Sequence, residues 1–223
     1  MTMSPLNTRL MREIRLILGV MPAPARMPPE PFGKTQLTQL YSKINERYDY
    51  GNFNFLPDGA RIAHRDNVIL IQTGLIQFNE DIPVDFVPVK EKVIDLLNMI
   101  TEHLRLKQFL TLGIKLICHL PVEGAAAKSN ELLEAKFIAL KETQLQLLGT
   151  DRLGTGFRFH FYTDESYWDL RIEPFFQDLV KIYIEIDKHY KQPFAGIDGI
   201  ESKLQSVRDY IFVEVRNLLE QTL

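Results

Sequence analysis

Gly156-Phe157-Arg158-Phe159-His160-Phe161-Tyr162, then Thr163-Asp164-Glu165-Ser166, then Tyr167-Trp168-Asp169-Leu170-Arg171-Ile172, is the stretch whose reading decides the fold. Side chains alternate between the two faces of a strand. The three phenylalanines therefore share one face, and Arg158, His160 and Tyr162 share the other. The polar residues 163–166 form the turn. A short loop centred on Asp164 and Glu165 pairs Phe161 with Trp168, Phe159 with Leu170 and Phe157 with Ile172. The opposite face then pairs Tyr162 with Tyr167, His160 with Asp169 and Arg158 with Arg171. A one-residue slip would turn polar groups into the core, so the register is well specified.

A third strand continues the pattern. Val180, Ile182, Ile184 and Ile186 point one way, and Lys181, Tyr183, Glu185 and Asp187 point the other. The apolar face needs a cover. The last helix, read over residues 198–221, is the candidate: Ile200, Leu204, Val207, Ile211, Val215 and Leu218 form one stripe at three- and four-residue steps. Asp198 and Glu201 read as its capping box.

Upstream, residues 1–10 read as a frayed arm and 13–20 as a strand. Residues 21–31 hold five prolines and read as a stiff extended connection. Residues 35–48 are a helix with Leu37, Leu40, Tyr41 and Ile44 on its buried stripe. Short strands follow at 52–56 and 61–64, with Pro57-Asp58-Gly59 as the turn between them. Residues 68–78 read as one long strand with a bulge at Gly74. Residues 89–106 are an amphipathic helix, and 109–120 are a strand stopped by Pro121. Residues 123–128 read as a linker. Residues 129–148 read as a helix capped by Ser129 and ended by Gly149, with strand as the competing reading over 137–147.

The fold class that follows is α+β: an antiparallel sheet covered on one face by long helices, as in saddle-like and helix-grip layouts. One domain is expected over 1–223. Two units of the order β-α-β-β-β-α, at 11–106 and 109–221, would make it a pseudo-duplication.

Composition narrows the function. The 223 residues carry a net charge of −3 with a pI near 6.0. That weighs against a dedicated nucleic-acid binder, which needs a basic footprint. A single cysteine permits no internal disulfide. No signal peptide and no apolar run of membrane-spanning length is read, so a cytoplasmic protein is expected.

No motif carries a cofactor or a metal. Gly154-Thr155-Gly156 precedes a strand, not the helix a dinucleotide loop requires. Cys118 and His119 are strand neighbours and face opposite ways. The five histidines lack paired ligand spacing. What remains is the polar sheet face. Arg158, His160, Tyr162, Tyr167, Arg171, Tyr183 and Glu185 are its candidate binding residues, since arginine and tyrosine suit recognition. The opposed Arg158 and Arg171 call for an anion between them, internal or bound. His160 beside Asp169 is the alternative, an acid–base pair; the plainer reading is a solvated pair on a sheet. The expected function is non-enzymatic recognition of a partner protein or small anionic ligand. An enzyme using His160 and Asp169 is the second reading, and nucleic-acid binding by a curved sheet the third.

Pro5-Leu6 with Arg12-Glu13-Ile14-Arg15-Leu16, Leu112-Gly113-Ile114-Lys115 and Ile182-Tyr183-Ile184-Glu185-Ile186 resemble segments of a sporadically distributed family of uncharacterised prokaryotic proteins of roughly this length. The resemblance implies no activity and assigns no residue a role.

Overall fold

The computed structural model describes residues 6–23, 32–123, 128–149 and 153–222. The reading of 21–31 beyond Ala23, of 1–5 and of 124–127 lies outside them.

Ten strands form one sheet, and every pairing is antiparallel. In chain order they are β1 (Arg12–Pro22), β2 (Asn52–Leu56), β3 (Gly59–His64), β4 (Asn67–Gln72), β5 (Leu75–Asp81), β6 (Gln108–Pro121), β7 (Phe157–Tyr162), β8 (Ser166–Pro174), β9 (Lys181–Tyr190) and β10 (Phe194–Ala195). The helices are α1 (Lys34–Tyr48), α2 (Phe86–Leu104), α3 (Ser129–Phe137), α4 (Glu142–Leu145), α5 (Ile200–Tyr210) and α6 (Arg216–Thr222). The strand order is β2-β3-β4-β5-β1-β6-β9-β8-β7, with β10 added to β6. The long strands β1 and β6 pair at the centre and join the two halves of the chain. Gly59 is required at the β2–β3 turn, because a Cβ there would lie 1.8 Å from the Ile71 carbonyl oxygen.

One face of the sheet is the core face. Leu16, Leu18 and Val20 of β1, Ile114, Leu116 and Cys118 of β6, and Ile182, Ile184 and Ile186 of β9 are all buried there. Leu37, Leu40 and Ile44 of α1, the Val93, Leu96, Leu97 and Ile100 stripe of α2, and Leu204 and Val207 of α5 close over them. Burial of apolar surface of this kind is the main driving force for folding.

The structure changes several expectations. Residues 6–10 are not frayed: Leu6 bridges Val122, and Thr8 is buried against Glu220. Residues 68–78 are two strands, and Gly74 sits in the turn between them rather than at a bulge. The first half therefore has four meander strands, so a β-α-β-β-β-α unit does not describe it. Residues 129–148 are broken: α3 stops at Phe137, residues 138–141 are not helical, and α4 is a single turn. Ser129 is the first helical residue and not the cap, a position held by Lys128. Gly199, at φ 83°, caps α5, and no side chain bonds there, so Asp198 and Glu201 form no capping box.

A π-helical turn at Ile211–Val215 joins α5 to α6. Its wider turn absorbs an extra residue and advances the phase of the stripe. Leu219 is buried as a result, while Leu218 is 38% exposed.

The hairpin register agrees with the sequence reading at all six pairs of β7 and β8. Its cover does not. Leu170 and Ile172 are buried and Trp168 partly so, yet Phe159 is 38% exposed and Val180, outside β9, is 50% exposed. The last helix meets Phe161 and Trp168 through the edge of the Tyr210 ring. Phe157 is met by Phe137 of α3 instead.

Candidate functional site

Helices cover one face, so the odd-numbered side chains of β1, β5, β6, β8 and β9 share the opposite, open face with the even-numbered ones of β4 and β7. Register fixes who meets whom. One row runs across all nine main strands: Asn54, Arg61, Leu70, Gln77, Gly19, Gly113, His189, Tyr167 and Tyr162. The next row holds Asn79, Ile17, Lys115, Asp187, Asp169 and His160. A third holds Asp81, Arg15, Ile117, Glu185, Arg171 and Arg158.

Gly19 and Gly113 stand directly opposite each other at the middle of the sheet. Mid-strand glycines weaken a strand and mark a place where something else comes close. Here they open a depression of about 340 Å³. Ile17, Met21 and Leu75 give it an apolar wall, and Lys115, Asp187 and His189 a polar one; Gln77 and Thr111 complete the lining. A Cβ on Gly113 would lie 3.3 Å from His189 Nδ1, so the glycine makes room for the imidazole.

The polar wall is ordered by its own bonds. Asp187 accepts from His189 Nε2 at 2.8 Å and pairs with Lys115 Nζ at 3.1 Å. Burial raises the Asp187 carboxyl, but the hydrogen bonds from His189 and Lys115 outweigh it and hold it below the usual carboxylate range. Lys115 also lies 3.5 Å from Glu185. The Tyr167 ring stacks on His189 at 4.8 Å and 11°, and Tyr162 on Tyr167 at 6.0 Å and 21°. Lys191 lies over both tyrosine rings, 4.5 Å from the Tyr167 centroid and 5.5 Å from that of Tyr162.

The seven residues expected from sequence all lie on this face, in three groups. Tyr162 and Tyr167 belong to the ladder. Tyr183 donates to Glu185 at 2.5 Å, and its hydroxyl is pushed up, first by burial and then by that bond. Arg158 donates to Asp169 at 2.6 Å, and the same carboxylate holds His160. The anion that Arg158 needs is therefore Asp169, whose carboxyl Arg158 holds low. Arg171 stands opposite Glu185 in register.

His160 and Asp169 meet as expected, but on an edge strand with the His160 side chain 54% exposed. Their carboxylate is shared with the Arg158 guanidinium.

Sequence reasoning missed Gly19, Gly113, Lys115, Asp187 and His189 as a group. Two signals were present: a glycine at an open-face position in each central strand, and a lysine one strand step from the second. Neither gains meaning before β1 is placed beside β6. Cys118 is buried on the core face, away from His119, as its alternation implies. Among the described residues no His, Cys, Asp and Glu cluster fits a metal ion, and no helix is long and apolar enough to cross a membrane.

No protein-family model matches the chain, and no curated protein matches it by sequence. Function has to be argued from the site's own chemistry.

Proposed function

We propose that this chain is a non-enzymatic binding protein that takes a small ligand on its open sheet face, in the depression over Gly19 and Gly113. The observation that carries the reading is the glycine pair itself. It removes two side chains from the middle of a ten-stranded sheet and leaves about 340 Å³ between an apolar wall and a polar one. Small-molecule sites have this mix of apolar lining and a few fixed polar groups. The polar groups are held in place before any ligand arrives, which lowers the entropic cost of binding.

The sequence pointed to an anionic ligand or a partner protein. Charge weighs against the anion. Lys115, Arg158 and Arg15 each already face a carboxylate, at 3.1, 2.6 and 2.7 Å. A partner protein on the rest of the face, over Arg158, Tyr183 and Arg171, is the alternative. Nothing favours catalysis at His160, and the alternating charges of the face suit nucleic acid poorly.

Ultrafiltration of the purified protein with a cell metabolite extract, followed by mass spectrometry of what is retained, tests the reading. One or more compounds should be held by wild type and by Glu46→Ala on exposed α1, and released by Lys115→Ala/His189→Ala. Arg158→Ala/Tyr183→Ala should still hold them. Equal retention by all four proteins overturns the proposal.

A further inference from the structure

The depression continues a ladder of rings. Tyr162, Tyr167 and His189 sit side by side in one register row, stacked at 6.0 and 4.8 Å with planes within 21° of parallel. The next two positions in that row are Gly113 and Gly19, and the row resumes at Gln77. His189 has Tyr167 on the β8 side. On the β6 side it faces the two glycines, and its side chain is 39% exposed. Three strand spacings separate the His189 and Gln77 positions, about 14 Å along the sheet. Stacked rings need roughly 4.5–7 Å each.

We infer that the ligand carries a planar aromatic ring, uncharged or cationic, which stacks on His189 over Gly19 as the next rung of the ladder, the imidazole itself lying over Gly113. This rests on the binding reading and names the ligand's class. The gap is flat-floored, because neither glycine raises a side chain. Ile17 and Leu75 flank it with apolar surface, and Gln77 offers an amide at its far end. A tyrosine–imidazole stack already oriented by Asp187 presents a fixed ring face to the newcomer. An anionic ring would meet the Asp187 carboxylate, which already holds the Lys115 ammonium.

A titration followed by amide NMR on the full chain tests this, with indole as probe and cyclohexanol as a non-planar apolar control. Indole should shift the Gly19 and Gly113 amide signals saturably. Cyclohexanol should bind at least tenfold more weakly, and benzoate, an aromatic anion, should also be weaker than indole. His189→Leu keeps the bulk but loses the ring, and should weaken indole at least fivefold. Gly19→Ala adds a methyl 3.6 Å from Leu75 Cδ1, an ordinary contact, so it should fold normally while raising the floor. It should also weaken indole. No saturable shift at the two glycines, equal binding of cyclohexanol, or indifference to His189→Leu overturns the inference. A compound without an aromatic ring retained in the ultrafiltration experiment overturns it too and leaves the binding reading standing. Loss of differential retention there removes the binding reading, whatever indole does.

Discussion

The two edges of the sheet carry the same alternation and meet different fates. At the first, Phe53 of β2 lies under Tyr41 of α1, stacked at 4.7 Å, and Ile62, Ile69, Ile71, Ile76 and Phe78 behind it are fully buried, while Phe55, past the reach of that stack, is 44% exposed. At the second, Phe159 of β7 is 38% exposed, and Phe161 and Trp168 are both met edge-on by the Tyr210 ring. The helix that follows the leading strand makes the difference. It is 15 residues long in the first half, whereas α3 stops after 9. Alternation fixes which way a side chain points; a helix elsewhere in the chain decides whether that direction is dry. Nothing in the local run Ile138-Ala139-Leu140-Lys141 explains why α3 ends.

The sharpest way to break this comparison is through charge. Under α2 in the first half, Glu80 is 1% exposed, accepts from the Tyr50 hydroxyl and pairs with Lys92 Nζ at 2.7 Å. Removing one member of a buried pair strands the other. Glu80→Ala should lose about 3–5 kcal/mol in urea denaturation. Asp169→Asn, which breaks the exposed pair with Arg158 and the contact with His160 in the second half, should lose far less in the same series. Equal losses would mean that the two halves are not differently covered. Next in size is the helical phase set by the π turn. Leu219→Ala should cost about 2–5 kcal/mol as a core truncation, and Leu218→Ala under about 0.5 kcal/mol as a surface change. A reversal would restore the unbroken α-helical stripe and remove the π turn from the account.

Those two leucines also mark the limit of what the sequence discloses. The stripe Ile200, Leu204, Val207, Ile211, Val215 reads correctly because three- and four-residue steps are local. The step to Leu219 depends on a backbone irregularity that leaves no composition signal. The β7–β8 register was legible for the same local reason, and the long α2 stripe likewise. The turn at Thr73 and Gly74 was not, because apolar residues run through it on both sides. The candidate site divides the same way. Tyr162 and Tyr167 face each other across a hairpin and could be read. Gly19 meets Gly113, and Gly113 meets His189, only through pairings between strands far apart in the chain. Such pairings are decided by the packing of the whole sheet.

A smaller test concerns the bare edge. Phe159→Ser should change stability by less than about 1 kcal/mol, because a side chain already partly in water loses little by truncation. Phe53→Ser at the covered edge should cost clearly more in the same urea series. Comparable losses at both positions would show that something covers β7 in solution.

The smallest effect lies in pH. His119, on the open face of the second half, packs 4.3 Å from Phe175 and 6.2 Å from Tyr183. Its pKa is lowered, first by burial and then by the Lys181 ammonium, against a smaller opposing pull from Asp178. The unfolded chain therefore takes up this proton more readily than the folded one. Stability from the neutral ring is present above the unfolded value, about 6.5, and is lost as pH falls below it. The urea midpoint of wild type should drop between pH 7.5 and 5.5, and the drop should be shallower in His119→Gln. Because the ring is only half-buried, the change should be a fraction of the core effects above. An identical drop in the variant would place the acid sensitivity elsewhere, with the carboxylates Asp169 and Asp187 excluded as its source, since their lowered values titrate below this window.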